Sequence, residues 1–154
     1  MKKAREQIKS IRTYTVPYSL KDIDKTNYTF DNGTIEYSYE KISILAFEAH
    51  SNGDLINAKK YYESILKKEP NDPRFFYNYG ILLKDLKKKR EAEDLFRKAI
   101  EINPNFFQAY LNLGVILTEF GKLEEAKEYI IQSIKINPNY EKAYLSLGNI
   151  SKSL

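Results

Sequence analysis

An all-α array of stacked antiparallel helix pairs is the fold this sequence predicts, and three observations predict it. Pro70, Pro104 and Pro138 stand 34 residues apart, each in a similar phrase: Lys-Glu-Pro-Asn once and Ile-Asn-Pro-Asn twice. The same shift carries Gly80 onto Gly114 and Gly148, and Ala58 onto Ala92 and Ala126, so small residues recur where helices must approach closely. Between the prolines each unit holds two apolar patterns of helical period, such as Tyr110, Leu113 and Leu117 followed by Ala126, Ile130 and Ile134. A fixed period of this length marks a solenoid, in which each hairpin buries its apolar face only against its neighbours.

The first 38 residues come before the periodic part. They are rich in Lys, Thr, Tyr and Asp, contain Pro17, and are expected to be mostly extended or disordered. Tyr28-Thr29-Phe30 and Ile35-Glu36-Tyr37 flank the turn signal Asn32-Gly33 and can pair as a small hairpin, although two strands alone are marginal in water. Thr34 or Ser38 is the expected cap of the first helix.

From there the pattern predicts helices over 35–52 and 55–68, 73–86 and 89–102, 107–120 and 123–136, and finally 140–153. Asp72 before Pro73 supplies an N-cap and a proline at the first helical position, and Asn105 and Asn139 are expected to cap similarly. Gly53 and Gly121 fit the left-handed position that ends a helix without a Cβ penalty. The second unit has Lys87 there, and Lys89 where the others have Leu55 and Leu123, so its inner turn is expected to be strained.

Composition narrows the function classes. At 154 residues and 42% hydrophobic content, the chain suits one domain with a continuous core. It has no Cys, which removes disulfides, thiolate nucleophiles and cysteine metal sites. The basic N-terminal stretch lacks the apolar core of a secretory signal, and no segment approaches the roughly 20 apolar residues of a membrane span. A soluble cytoplasmic protein is expected. The formal charge is +4, but 25 basic against 21 acidic residues make a mixed surface.

The run Lys84, Lys87, Lys88, Lys89, Arg90 sits at a turn and lacks an ordered aromatic platform. A solvated charge cluster accounts for it better than a nucleic-acid site does. His50 is the one histidine and is expected to face solvent or to be hydrogen-bonded. No nucleophile elbow, phosphate loop or metal-ligand spacing is present, so neither catalysis nor a cofactor or metal is expected.

The chain resembles the tetratricopeptide repeat (TPR) family over residues 39 to 154. The signature of aromatic, Leu-Gly, Ala, aromatic, small residue and Pro is carried by Tyr110, Leu113, Gly114, Ala126, Ile130, Ser133 and Pro138. Phe76, Tyr79, Gly80, Ala92, Phe96, Ala99 and Pro104 carry it one repeat earlier. The first unit departs in its opening helix, with Ile42, Leu45 and Ala46, but keeps Ala58, Tyr62 and Pro70. The resemblance implies repeats at 39–72, 73–106 and 107–140 and a capping helix at 141–154, with Lys142, Ser146, Asn149, Ser151 and Lys152 keeping its outer side wet. It also implies a right-handed superhelix, an α-solenoid whose first helices line a concave groove for a peptide or a partner's helix.

The family's groove positions fall on Glu40, Ser43, Ile44, Phe47 and His50, then on Arg74, Tyr77, Asn78, Ile81 and Lys84. Gln108, Leu111, Asn112, Val115 and Thr118 follow, and Lys142, Leu145, Ser146 and Asn149 complete the set. Asn78 and Asn112 resemble part of the asparagine ladder of the O-linked N-acetylglucosamine transferases, since a carboxamide can both donate to and accept from a peptide backbone. Helix-surface amides bonding water explain them equally well. Ser43 and Phe47 stand where the family's cationic carboxylate clamp would begin, which argues against a chaperone-tail specificity. Two functions stay open: a scaffold binding an extended peptide or helix, and the recruiting module of a larger enzyme or assembly.

Overall fold

The computed structural model describes residues 28–31, 34–37, 39–68 and 70–151. Residues 1–27, Asn32 and Gly33 at the turn, the expected cap Ser38, and Lys152 lie outside the described residues.

Strands β1 (Tyr28–Asp31) and β2 (Thr34–Tyr37) pair antiparallel, with Tyr28 opposite Tyr37 and Asp31 opposite Thr34. The hairpin therefore forms, and Thr34, being its first β2 residue, does not cap a helix. Seven helices follow among the described residues: α1 (Tyr39–Ser51), α2 (Leu55–Leu66), α3 (Pro73–Asp85), α4 (Lys89–Ile102), α5 (Phe107–Glu119), α6 (Leu123–Ile136) and α7 (Glu141–Ser151). The expected spans hold to within two residues except at the start of α1, where β2 takes the residues assigned to its first turn.

Packing is densest within the pairs α1/α2, α3/α4 and α5/α6, and each pair leans on the next. Ala58, Ala92 and Ala126 are fully buried at one repeat position, and Tyr62, Phe96 and Ile130 at another. Gly80 and Gly114 face those bulky side chains. A Cβ on Gly80 would stand 2.7 Å from Phe96 Cε1, and one on Gly114 would stand 2.6 Å from Ile130 Cγ1. The 34-residue recurrence is thus a recurrence of close helix crossings, at which a glycine notch admits one large side chain.

Aromatic rings carry the core across the first junction. Tyr62 stacks on Tyr79 at 5.2 Å between centroids and tilts against Phe75 at 5.8 Å, joining α2 to α3. His50 is fully buried at the end of α1, with Nε2 3.3 Å from Asp85 Oδ2 on α3 and its ring edge toward Tyr62. A hydrogen-bonded histidine was one of the two expectations. Its assignment to the groove surface is corrected by this burial.

Helix ends follow local chemistry. Asp72 caps α3 by accepting from the Arg74 amide at 2.9 Å, with Pro73 at the first helical position. Asn105 does not cap α5: Phe106 holds the cap position without a side-chain bond, while the Asn103 side chain accepts from the Asn105 amide at 3.0 Å. The shift of 34 repeats this turn, with the Asn137 side chain accepting from the Asn139 amide at 3.2 Å, and α7 begins only at Glu141. In each case the asparagine before the proline does the ordering, not the one after it.

The three inner turns share one backbone pattern. Asp54, Lys88 and Lys122 donate to the carbonyls of Ala49, Leu83 and Leu117 at 2.8, 2.8 and 2.9 Å, reaching back over a left-handed residue. That residue is Gly53 (φ 78°), Lys87 (φ 64°) and Gly121 (φ 75°), and Lys87 alone of the described non-glycine residues has positive φ. The expected strain is therefore present. Lys87→Gly is expected to stabilise the protein by about 1 kcal/mol, read as a higher urea midpoint at unchanged slope; a lower midpoint would show that the Lys87 side chain contributes more than its backbone costs.

Candidate functional site

The first helices of successive repeats, α1, α3, α5 and α7, carry the groove positions, and hydrogen bonds run between them. Lys84 on α3 donates from Nζ to Asn112 Oδ1 on α5 at 2.9 Å. Asn112 Nδ2 donates to its own helix at Gln108 O (3.0 Å) and to Tyr77 OH on α3 (3.3 Å). Asn112 thus ties two repeats together, leaving its oxygen with acceptor capacity to spare.

Burial divides the expected groove residues into a floor and a rim. Tyr77, Asn78, Ile81 and Leu111 are buried. Tyr77 lies against Phe96 and Phe106 at 5.8 and 5.0 Å between centroids, so α4 and the following loop hold it. Asn78 lines a small cavity with Tyr39, Ser43, Tyr62 and Asp72. Lys84, Asn112 and Val115 are half-buried, and Lys142 and Asn149 on α7 are exposed. Arg74 turns toward the loops at the end of the array, where its Nε and Nη2 grip Asp72 at 2.9 and 2.7 Å. It lines an open cleft of about 520 Å³ with Asn71, Asn103, Asn105 and Phe106.

Lys84 is a half-buried cation whose surroundings act on it in both senses. Burial lowers its pKa first; Asp85 and Glu119 act in the opposite sense, and Lys142 adds to the lowering. The nearby acids are engaged elsewhere, Asp85 with His50 and Glu119 with Lys89 at 2.9 Å. The structure brings together Tyr77, Lys84 and Asn112, while Arg74 stands apart at the loop end.

The opposite, outer side has its own inter-repeat tie. Arg97 on α4 bonds Glu93 at 2.8 Å, Glu125 on α6 at 2.7 Å and Tyr129 OH at 2.7 Å, with its guanidinium 5.4 Å from the Tyr129 ring. Burial opposes its charge, but the bonds to Glu125 and Glu93 outweigh this and raise its pKa. The turn cluster behaves as expected of solvated charge: Lys88 pairs with Glu91 and Lys89 with Glu119. Among the described residues no group of three or more His, Asp or Glu side chains can hold a metal ion. Nor is any of their helices long and apolar enough to cross a membrane.

Reading from sequence missed the His50–Asp85, Lys84–Asn112 and Arg97–Glu125 contacts. The last two pairs are each 28 residues apart, one of the offsets at which neighbouring repeats' helices meet in this stack.

Comparison with known proteins agrees with this architecture. Among solved structures, the TPR domain of Arabidopsis OM64 superposes with a TM-score of 0.71 at 18% identity, covering 75% of this chain and 96% of that one. The first TPR of Spaghetti (RPAP3), bound to the HSP90 peptide SRMEEVD, gives 0.70 at 25% identity over 75% and 94%. The TPR2B domain of yeast Sti1, in a pHsp70 complex, gives 0.69 at 23% over 75% and 98%. Cilia- and flagella-associated protein 70 of Macaca fascicularis is 33% identical over 70 residues. Those residues make up 46% of this chain and 7% of that relative, so the chain spans only a small part of its length. Residues 42–147 match the model of the cilia and flagella-associated protein 70 middle TPR-like domain, and the chain belongs to that family of TPR-type helical repeats.

Proposed function

We propose that this chain is a cytoplasmic, non-catalytic recruiting scaffold that holds an extended acidic segment of a partner protein along the inner face of α3, α5 and α7. One observation carries the reading: Lys84 on α3 and Asn112 on α5 are hydrogen-bonded across successive first helices, with Tyr77 bonded to the same amide. Lys84 and Lys142 supply the charge, and the remaining acceptor capacity of Asn112 suits a backbone amide. Val115 offers apolar contact at the rim, above the buried Tyr77, Ile81 and Leu111. Arg74 and Asn149 extend the contact toward the ends of the segment, and the buried Asn78 lies beneath it.

Similar solved structures support the choice of partner class, since the first TPR of RPAP3 is seen bound to the HSP90 peptide SRMEEVD and the Sti1 TPR2B domain in a pHsp70 complex. A recruiting module inside a larger assembly is the second reading. The 7% share of the much longer cilia and flagella-associated relative favours it.

The test is a fluorescence anisotropy titration with labelled SRMEEVD, as free acid and as C-terminal amide, alongside a neutral glutamine analogue. Both acidic forms are expected to bind alike, because Ser43 and Phe47 provide no clamp for a terminal carboxylate, and the neutral analogue is expected to bind more weakly. Asn78→Ala with Asn112→Ala is expected to weaken binding by about 1 to 3 kcal/mol at unchanged helicity. Equal affinity for the neutral analogue, or undiminished affinity in the double variant, would move the site off this face.

A further inference from the structure

The second repeat holds a cluster of three aromatic rings that the first repeat replaces, position for position, with smaller or more polar groups. Tyr77 on α3 packs on Phe96 of α4 at 5.8 Å and on Phe106 at 5.0 Å between centroids. The same positions 34 residues earlier hold Ser43, Tyr62 and Asp72: a hydroxyl, a phenol and a carboxylate. Ser43 is too small to fill the space that the Tyr77 ring takes. A cavity of about 20 Å³ lies there between α1, α2 and α3, lined by all three residues and by the buried Asn78.

Hydrogen bonding around this cavity is incomplete. Tyr62 is 3% exposed, and its hydroxyl is buried with no hydrogen-bond partner among the described residues. Stacking on Tyr79 and packing against Phe75 hold the ring, so the hydroxyl cannot swing out to bulk solvent. A buried hydroxyl left unbonded is costly, and in folded proteins such groups are met by protein or by ordered water. Ser43 Oγ gives its own proton to the Tyr39 carbonyl at 2.8 Å, which leaves its lone pairs able to accept.

We infer that this cavity is a binding site for one ordered water molecule, which accepts a hydrogen bond from the Tyr62 hydroxyl and donates to Ser43 Oγ. The Asn78 carboxamide is the third partner. Size and charge both select water. One water needs about 10 to 15 Å³ of such space, so the cavity holds one and no larger ligand. A cation gains little there, because Arg74 already neutralises the Asp72 carboxylate through Nε and Nη2 at 2.9 and 2.7 Å. The water takes the place of the aromatic cluster as the filler of the first junction, joining α1, α2 and α3 beneath the groove.

Tyr62→Phe keeps the ring and removes only the hydroxyl, and the sign of its effect separates a bonded hydroxyl from an orphaned one. Loss of a bond to water is expected to lower the melting temperature by about 2 to 5 °C, whereas removing an orphaned hydroxyl would raise it. Oxygen-17 relaxation dispersion counts long-lived waters, and the variant is expected to hold one fewer than the parent. The parent chain alone gives a further reading: its crystal structure is expected to show a water within about 3 Å of Tyr62 Oη. A melting temperature that does not fall, an unchanged count of long-lived waters, or no water at Tyr62 Oη would overturn the inference. So would stabilisation of the parent by sodium over choline chloride at equal ionic strength that Tyr62→Phe abolishes, which would assign the cavity to a cation. None of these measurements needs a partner, so their outcome is independent of the SRMEEVD titration.

Discussion

Phe96→Ala is expected to destabilise the protein by about 3 to 5 kcal/mol, a large share of the roughly 5 to 15 kcal/mol that holds a domain of this size folded. Phe96 is fully buried at the centre of the second repeat, where it fills the Gly80 notch and supports the Tyr77 ring. Removing the ring leaves a cavity between α3 and α4 that neither backbone can close, because the α4 contacts to α5 fix its position from the other side. Urea denaturation gives the number, and a loss below about 1.5 kcal/mol would show that the two helices collapse onto each other. The pair also predicts an inversion. The three nearest atoms to a Cβ on Gly80 all belong to Phe96, so Gly80→Ala should cost stability in the parent chain. In the Phe96→Ala background that conflict is gone, and the helix propensity of alanine should make the same change favourable by up to about 1 kcal/mol.

Much of this was legible in the sequence because it was written with a period. The proline register placed every hairpin, and Lys87, where the other units have glycine, correctly marked the one strained non-glycine turn among the described residues. What could not be read were contacts across repeats between residues without a repeated partner. His50 looks like a surface histidine on its own helix, yet lies buried, with Asp85, 35 residues on, bonded to it and Tyr62 packed against it. The groove assignment gave no depth: Tyr77 and Leu111 are as buried as core residues, and Phe96 and Phe106 hold the Tyr77 ring in place. The caps failed for a local reason. Asn103 and Asn137 order the loop from before the proline, a side-chain turn that competes with capping by Asn105 and Asn139.

The two glycines of the Leu-Gly dipeptides at 113–114 and 147–148 are expected to respond oppositely to substitution, although the sequence around them is nearly the same. Gly114→Val should destabilise by about 3 kcal/mol. A Cβ there meets Ile130 Cγ1 at 2.6 Å and also the Ala126 carbonyl oxygen at 3.0 Å, so part of the obstruction is backbone and cannot rotate away. Trimming Ile130 to Ala should therefore rescue Gly114→Val only in part, unlike the fuller rescue expected at Gly80, where side-chain atoms alone intrude. Gly148 is a helical glycine with open space around it, so Gly148→Ala should stabilise by about 0.5 to 1 kcal/mol through the lower conformational entropy of the unfolded chain. Thermal and urea unfolding of the two variants measure both effects. A destabilising Gly148→Ala would mean that another group packs against Gly148 in solution, and a neutral Gly114→Val would mean that α5 and α6 separate more easily than their close crossing implies.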